Sequence, residues 1–142
     1  MLSVDQQLIE DARIREMKEQ AAKRDPSRVT MSETARKLFA ELSREVRALD
    51  SQVIEIAEAR SISYHGPQFF MEVLPRKHQL KLVLPLEIGE VEDTSGLAQD
   101  ASQRKFYFYA KYAGDVEVDI WNAEDIPKAL PVIQQSLVAT NS

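Results

Sequence analysis

Residues 104–121 alternate between two kinds of side chain on either side of Ala113-Gly114-Asp115, and this pattern constrains the fold more than any other. Strict alternation is typical of β-strands that have one face in the core and one face in water. The short loop contains Gly114, which can take a positive φ, so the pattern predicts a hairpin in which Tyr112 pairs with Val116. The dry face of this hairpin is then formed by Phe106, Phe108, Ala110, Val116, Val118 and Ile120.

The opposite face of the predicted hairpin carries aromatic and charged side chains. In this register Lys111 faces Glu117 across the two strands, which is a favourable cross-strand pair. Aromatic rings beside a cation can stack on nucleic-acid bases or on a flat protein surface. A helix of the same chain, above all the N-terminal one, could instead cover this face. The residues predicted to bind a partner are Tyr107, Tyr109, Lys111 and Trp121.

The clearest helical pattern in the sequence covers residues 31–48. Thr30 followed three residues later by Glu33 predicts a capping box at its start. The apolar side chains that fall on one face are Ala35, Leu38, Phe39, Leu42, Val46 and Leu49. Near the C-terminus, Pro131 predicts that a short turn at 124–128, capped by Asn122, precedes a regular helix from about residue 130.

Three more strands are predicted before the hairpin, at Ile62 to Tyr64, at 68–74 and at 79–84. Residues 53–59 fit either a helical turn or an extended segment. Residues 86–103 are polar and acidic and are predicted to form a long surface loop. The pattern as a whole predicts a single α+β domain over residues 29–142, with a mainly antiparallel five-stranded sheet and two helices packed on it.

Residues 1–28 are predicted to form an N-terminal helical extension. This segment has six acidic and six basic residues, so the net charge of −5 belongs to residues 29–142. Its apolar stripe is narrow, and a helix of this kind gains little by burial on its own. It is expected to pack on its own domain, to pack on a second copy, or to remain free.

Composition excludes several classes of function. The chain has no cysteine, which rules out disulfides, thiolate catalysis and cysteine-based metal sites. The acidic balance argues against an extended nucleic-acid groove, which normally needs a surplus of Lys and Arg. No segment approaches the roughly 20 apolar residues of a membrane span. With 142 residues, long enough to bury a sizeable core, the chain is expected to be a soluble cytoplasmic protein without membrane attachment.

No catalytic or metal-binding motif stands out. His65 and His78 are both predicted to lie in turns, and neither belongs to a metal-ligand spacing. Glu117 and Asp119 beside Lys111 resemble the carboxylate cluster of a nuclease, but cross-strand ion pairs account for them fully. We expect a protein that is not an enzyme and has no cofactor and no metal.

One small basic spot offers a possible nucleic-acid contact. An exposed basic hairpin is more often a solubilising turn, although three or four cations can touch a phosphate backbone weakly. The residues predicted for this contact are Arg76, Lys77, His78 and Lys81.

Residues 33 to about 138 resemble a small domain-of-unknown-function family often labelled "predicted transport protein". The stretches that carry the resemblance are Phe69-Phe70-Met71-Glu72-Val73, Lys77 to Leu84, Gly114 to Val118 and Ala123-Glu124-Asp125-Ile126, together with Tyr64. Members of that family occur alone and as the C-terminal module of modification-dependent restriction endonucleases. The resemblance implies a fold and a possible link to nucleic acid. It does not extend to 106–112, where family members tend to have glycine and histidine.

Three hypotheses about function follow from these observations. The first is a non-catalytic interaction module that acts by protein–protein contact or self-association, through the aromatic face and residues 1–24. The second is an accessory nucleic-acid-binding domain of a restriction or defence system. The third is a small-molecule-binding protein with its pocket between the sheet and the 86–103 loop.

Overall fold

The structure, a computed structural model, describes residues 3–23, 25–103, 110–112 and 114–141. Its helices are α1 (Val4–Lys23), α2 (Glu33–Arg47) and α3 (Asp125–Thr140), with turns of 3-10 helix at Pro26–Arg28 and Ile88–Glu90. Its strands are β1 (Ile54–Ala57), β2 (Ile62–His65), β3 (Phe69–Pro75), β4 (Leu80–Leu84), β5 (Ala98–Asp100) and β6 (Val116–Ile120).

The described strands form one antiparallel sheet in the order β1-β2-β3-β4-β6-β5. The predicted α+β class with an antiparallel sheet is therefore confirmed, while the described part of the chain has six strands and three helices instead of five and two. Residues 53–59, which the pattern left open, supply β1. The predicted loop at 86–103 contains β5, a three-residue strand too short to show an alternation.

The predicted hairpin register is wrong. Val118 of β6 pairs with Leu82 of β4 on one side and with Ala98 of β5 on the other, so both of its edges are occupied and Ala110 is not its partner. Alternation shows which side chains share a face but does not show which strand is the neighbour. The dry side of β6 is as predicted, because Val116, Val118 and Ile120 are fully buried. Residues 106–109 lie outside the described part of the chain.

Helices α2 and α3 pack on one face of the sheet and enclose the main core. The residues of α2 predicted for its apolar face, from Ala35 to Val46, are buried. The N-cap is Ser32, not Thr30: the Ser32 hydroxyl accepts a hydrogen bond from the Ala35 amide (3.1 Å) and donates one to the Lys77 carbonyl (2.6 Å). One side chain thus caps α2 and ties it to the turn between β3 and β4.

Helix α3 runs without a break through Pro131, contrary to the predicted start near residue 130. Asn122 does help to cap it, since its side-chain oxygen accepts a hydrogen bond from the Asp125 amide (3.2 Å). A proline inside a helix costs about 3 kcal/mol, whereas burying one isoleucine contributes about 1.5–3 kcal/mol. The continuous helix buries both Ile126 and Ile133, so packing outweighs the lost backbone bond.

Helix α1 lies against β1 on the other face of the sheet. The Glu55 carboxylate accepts a hydrogen bond from Ser43 of α2, so the adjacent Ile54 side chain points away from α2. Ile54 lines a small cavity with Ile14 and Met17 of α1. This arrangement selects one of the three predicted alternatives: the second half of α1 packs on its own domain.

Gly114 is required for a different reason from the one predicted. Its φ is not in the left-handed region, where Gly96 (φ 75°) is the only one of the four glycines to lie. A Cβ on Gly114 would lie 2.4 Å from the carbonyl oxygen of Leu84 and 2.9 Å from Cγ1 of Val83. Glycine is needed here because the chain passes directly over the end of β4.

Gly114→Ala is expected to lower the free energy of unfolding by about 1–3 kcal/mol, because the backbone must shift to relieve the overlap. The matched control is Gly89→Ala, where an added Cβ meets nothing within 4 Å. Urea denaturation of both variants measures the difference. Equal stabilities for the two variants would contradict the close approach of Gly114 to β4.

Candidate functional site

A buried carboxylate organises the polar side of the sheet. Glu72 of β3 is fully buried, and its side chain accepts hydrogen bonds from the Ser61 hydroxyl (2.5 Å) and from the backbone amides of Lys111 and Tyr112 (2.8 Å each). A buried charge needs such partners to offset the loss of hydration. Glu72 therefore fixes residues 110–112 against the sheet.

A chain of hydrogen bonds joins Glu58, Ser63 and His65 beside this anchor. The Ser63 hydroxyl donates to the Glu58 carboxylate (3.0 Å), so it accepts from Nε2 of His65 (3.0 Å), and this assigns the proton of the neutral ring to Nε2. The Lys111 ammonium lies 3.2 Å from the other Glu58 oxygen. Burial has the largest effect on the pKa of His65 and lowers it. The Glu58 carboxylate raises this pKa, and the Lys111 ammonium lowers it further. The histidine is held neutral.

Three rings pack together at the His65 end of this chain of hydrogen bonds. Phe69 and Tyr112 stack with their centroids 4.2 Å apart and their planes 10° apart, and His65 meets both of them edge-on, at 5.8 and 5.4 Å. The Lys111 ammonium is 5.9 Å from the centre of the Tyr112 ring. Burial raises the pKa of Tyr112, so its phenol remains neutral. Lys111, one of the predicted residues, lies beside this cluster of rings, whose aromatic members were not assigned to a binding face by the pattern.

The order of groups in this cluster does not support nucleophilic catalysis. In a serine nucleophile site the histidine lies between the carboxylate and the serine, so that it can take the serine proton. Here Ser63 lies between Glu58 and His65, its proton points to the carboxylate, and its side chain is fully buried. The cluster stabilises the fold and positions residues 110–112.

The predicted partner-binding residues are not brought together in the described part of the chain. Lys111 is exposed and contacts Glu58, not Glu117 as predicted. Trp121 is 58% exposed and lines a shallow cleft beside the start of α2, together with Lys37. Tyr107 and Tyr109 lie outside the described residues. Lys111 and Trp121 therefore have different neighbours, at separate places on the surface.

The basic spot is smaller than predicted. Arg76, Lys77 and His78 share the turn between β3 and β4, where Lys77 and His78 are exposed. The Lys81 side chain is 12% exposed, with its ammonium 2.9 Å from Asp119 and 3.4 Å from Glu117. Its charge is matched by two carboxylates, so it adds little to a phosphate-binding surface. His65 lies in β2 and is buried, and only His78 has the predicted turn position.

The first half of α1 exposes apolar side chains. Val4, Leu8 and Ile9 have exposures of 78%, 61% and 69%. At about 100° per residue, these positions and Ala12 span an arc of about 140° that faces away from the arc of Ile14 and Met17. The α1 helix therefore has two apolar faces, one packed on the sheet and the other turned outward.

The start of α1 is capped. The Ser3 hydroxyl accepts a hydrogen bond from the Gln6 amide (3.1 Å), and the Gln6 side chain accepts one from the Ser3 amide (3.0 Å), which is a reciprocal capping box. The helix is thus stabilised at its first turn, before it reaches the sheet. The Ser-x-x-Gln spacing was available in the sequence and would have indicated this start.

Among the described residues, no group of three His, Asp or Glu side chains is placed to hold a metal ion. No helix there is long and apolar enough to cross a membrane. At the place predicted for a pocket beside the 86–103 loop, there is an open cleft lined by Glu87, Glu90 and Asp115. The Gln135 side chain joins this loop to α3, since it accepts a hydrogen bond from the Glu92 amide and donates one to the Glu92 carbonyl.

The sequence contained weak signals for the cluster that motif reasoning missed. Glu72 stands alone within the apolar run Phe69 to Leu74, which is unusual for a buried strand. Ser61, Ser63 and His65 alternate with Ile62 and Tyr64, as expected for a strand with a polar face.

Comparison with protein-family models, with curated proteins and with solved structures finds no match. The resemblance to the "predicted transport protein" family stays a prediction.

Glu72→Gln is expected to lower the free energy of unfolding by about 1.5–3 kcal/mol, because an amide has one acceptor oxygen for three donors. Hydrogen exchange of the Lys111 and Tyr112 amides should also become faster. Glu87→Gln, at an exposed carboxylate, is the matched control and should change stability by less than about 0.5 kcal/mol. Unchanged exchange at both amides would contradict the anchoring role.

Acidification is expected to destabilise the protein through His65. Its folded pKa lies below the ordinary value of 6.5, so the unfolded chain takes up the proton first and stability is lost as the pH falls from about 7 to about 5. His65→Gln keeps an N–H donor for Ser63 but cannot titrate in this range, and it should flatten the dependence measured by thermal unfolding. His78→Gln is the control and should keep the wild-type slope; equal slopes in the two variants would contradict the assignment.

Proposed function

We propose that this protein is a non-catalytic interaction module that acts by protein–protein contact, with the outward face of α1 as its contact element. The observation that carries the proposal is the exposure of Val4, Leu8 and Ile9 on a helix whose other face packs on the sheet. Single exposed apolar residues are ordinary, but a cluster within six residues marks an interaction surface.

The energetics of α1 favour a helix that is completed by a partner. Each exposed Val, Leu or Ile side chain contributes about 1.5–3 kcal/mol when it is fully buried. Most of the stability of a helix in a protein comes from packing of its apolar face, and the apolar side chains of α1 that line the cavity toward the sheet are Ile14 and Met17. The capping box keeps the first turns helical, so that little ordering is required on binding.

The accessory nucleic-acid-binding hypothesis has less support. It rests on the exposed Lys77 and His78 and on the resemblance to restriction-enzyme modules. The pairing of Lys81 with Asp119 and Glu117 and the net charge of −5 both weigh against it. A small-molecule role would use the acidic cleft at Glu87, Glu90 and Asp115, which favours cationic ligands. We place both behind protein contact.

A photo-cross-linking amino acid at position 8, in the cells that produce the protein, tests the proposed function. We expect one predominant adduct with another polypeptide, because the Leu8 side chain is central to the contact. Val138 is the matched control position, since it is also an apolar residue on a helix and has 58% exposure. No adduct at position 8, or the same adducts at both positions, would overturn the proposal.

A further inference from the structure

We infer that the partner of α1 presents lysine or arginine side chains beside its apolar anchors, and that it is not a second copy of this chain docked patch on patch. This inference rests on the proposed function and specifies its partner. The outward patch is defined as Val4, Leu8, Ile9 and Ala12. The inference depends on the charges around this patch and on the symmetry of a helix pair.

The charges beside the patch are negative. Residues 1–12 contain Asp5, Glu10 and Asp11 and no Lys, Arg or His. At about 100° per residue, Asp5 lies within the arc of the patch and Asp11 lies at its edge. Glu10 lies on the other side of the helix, where its carboxylate is 3.3 Å from Arg13. The first base on the outward side is Arg15, which lies within the same arc but one turn beyond Asp11, past the end of the patch.

The helix dipole does not account for these acids. A favourable interaction with the positive end of a helix is confined to the first turn, so it explains Asp5 but not Asp11. Asp11 accepts a hydrogen bond from the Gln7 side chain (3.0 Å), an exposed contact within the same helix. A basic partner would give Asp5 and Asp11 a common role, since it would place cations on both sides of its apolar contact.

A second copy centred on the patch places no Lys or Arg level with Asp5 or Asp11. If two patches met antiparallel about a two-fold axis at Leu8, Asp5 of each helix would lie level with Asp11 of the other, and Arg15 would lie beyond the patch. If they met in parallel, each carboxylate would lie level with its own counterpart. Both arrangements bring like charges together at the edge of a small contact, where repulsion disfavours association. The complementary surface is therefore apolar and basic.

The test uses a short synthetic helix of leucine and lysine at amphipathic spacing as the probe, with fluorescence anisotropy at physiological ionic strength. Asp5→Asn/Asp11→Asn should weaken binding about threefold to tenfold. Leu8→Ser/Ile9→Ser should weaken it at least about tenfold, because the apolar contact is lost. The matched control for charge is Glu87→Gln/Glu90→Gln, which should change binding less than about twofold.

Equal weakening by the two charge variants would show attraction to the whole acidic protein and would overturn the inference. Binding that does not depend on Leu8 and Ile9 would also overturn it. Sedimentation of the full chain is the second measurement and should show a single copy at all concentrations. A dimer that disappears in Leu8→Ser/Ile9→Ser would make the second copy the partner; the inference would then fail while the proposed contact through α1 would stand.

Discussion

Strand β6 lies between β4 and β5 and is hydrogen-bonded along both of its edges, and the rest of the structure depends on this placement. The described residues just before β6 contact the two strands on its β4 side. Gly114 lies over the end of β4, next to the Leu84 carbonyl. The backbone of residues 110–112 lies at the polar face of β3, where Glu72 binds it.

Two carboxylates, the buried Glu72 and the half-buried Glu55, connect the layers on both sides of the sheet. On the polar side, Glu72 joins β3 to residues 110–112. On the helical side, Glu55 accepts hydrogen bonds from Ser43 of α2 and from the Tyr64 phenol, at 2.5 Å each. Burial raises the pKa of Tyr64, so this phenol remains a donor. Such groups are costly to bury alone, and they fix the relative position of elements once all partners are in place.

The two halves of α1 have different roles because they meet different surroundings. The second half lies over β1, and Ile14 and Met17 face the sheet across a small cavity lined also by Ile54. The first half carries its apolar side chains on the opposite side of the helix, so the domain that anchors α1 does not bury them. In the proposed function, a capped helix that is anchored at one end and apolar at the other would bind a partner with little loss of conformational entropy.

The sequence by itself determined the α+β class, the buried face of α2 and the dry side of β6, because these depend on local periodicity. It did not determine the neighbour of β6, the strand β5, or the continuity of α3 through Pro131, because strand pairing and packing energies depend on residues far apart in the chain. The same limit applies to Lys111 and Trp121, which local alternation placed on one face. The tertiary structure alone decided that Glu58, Ser63, His65 and Glu72 meet, since their hydrogen bonds form only after β2, β3 and residues 110–112 are assembled.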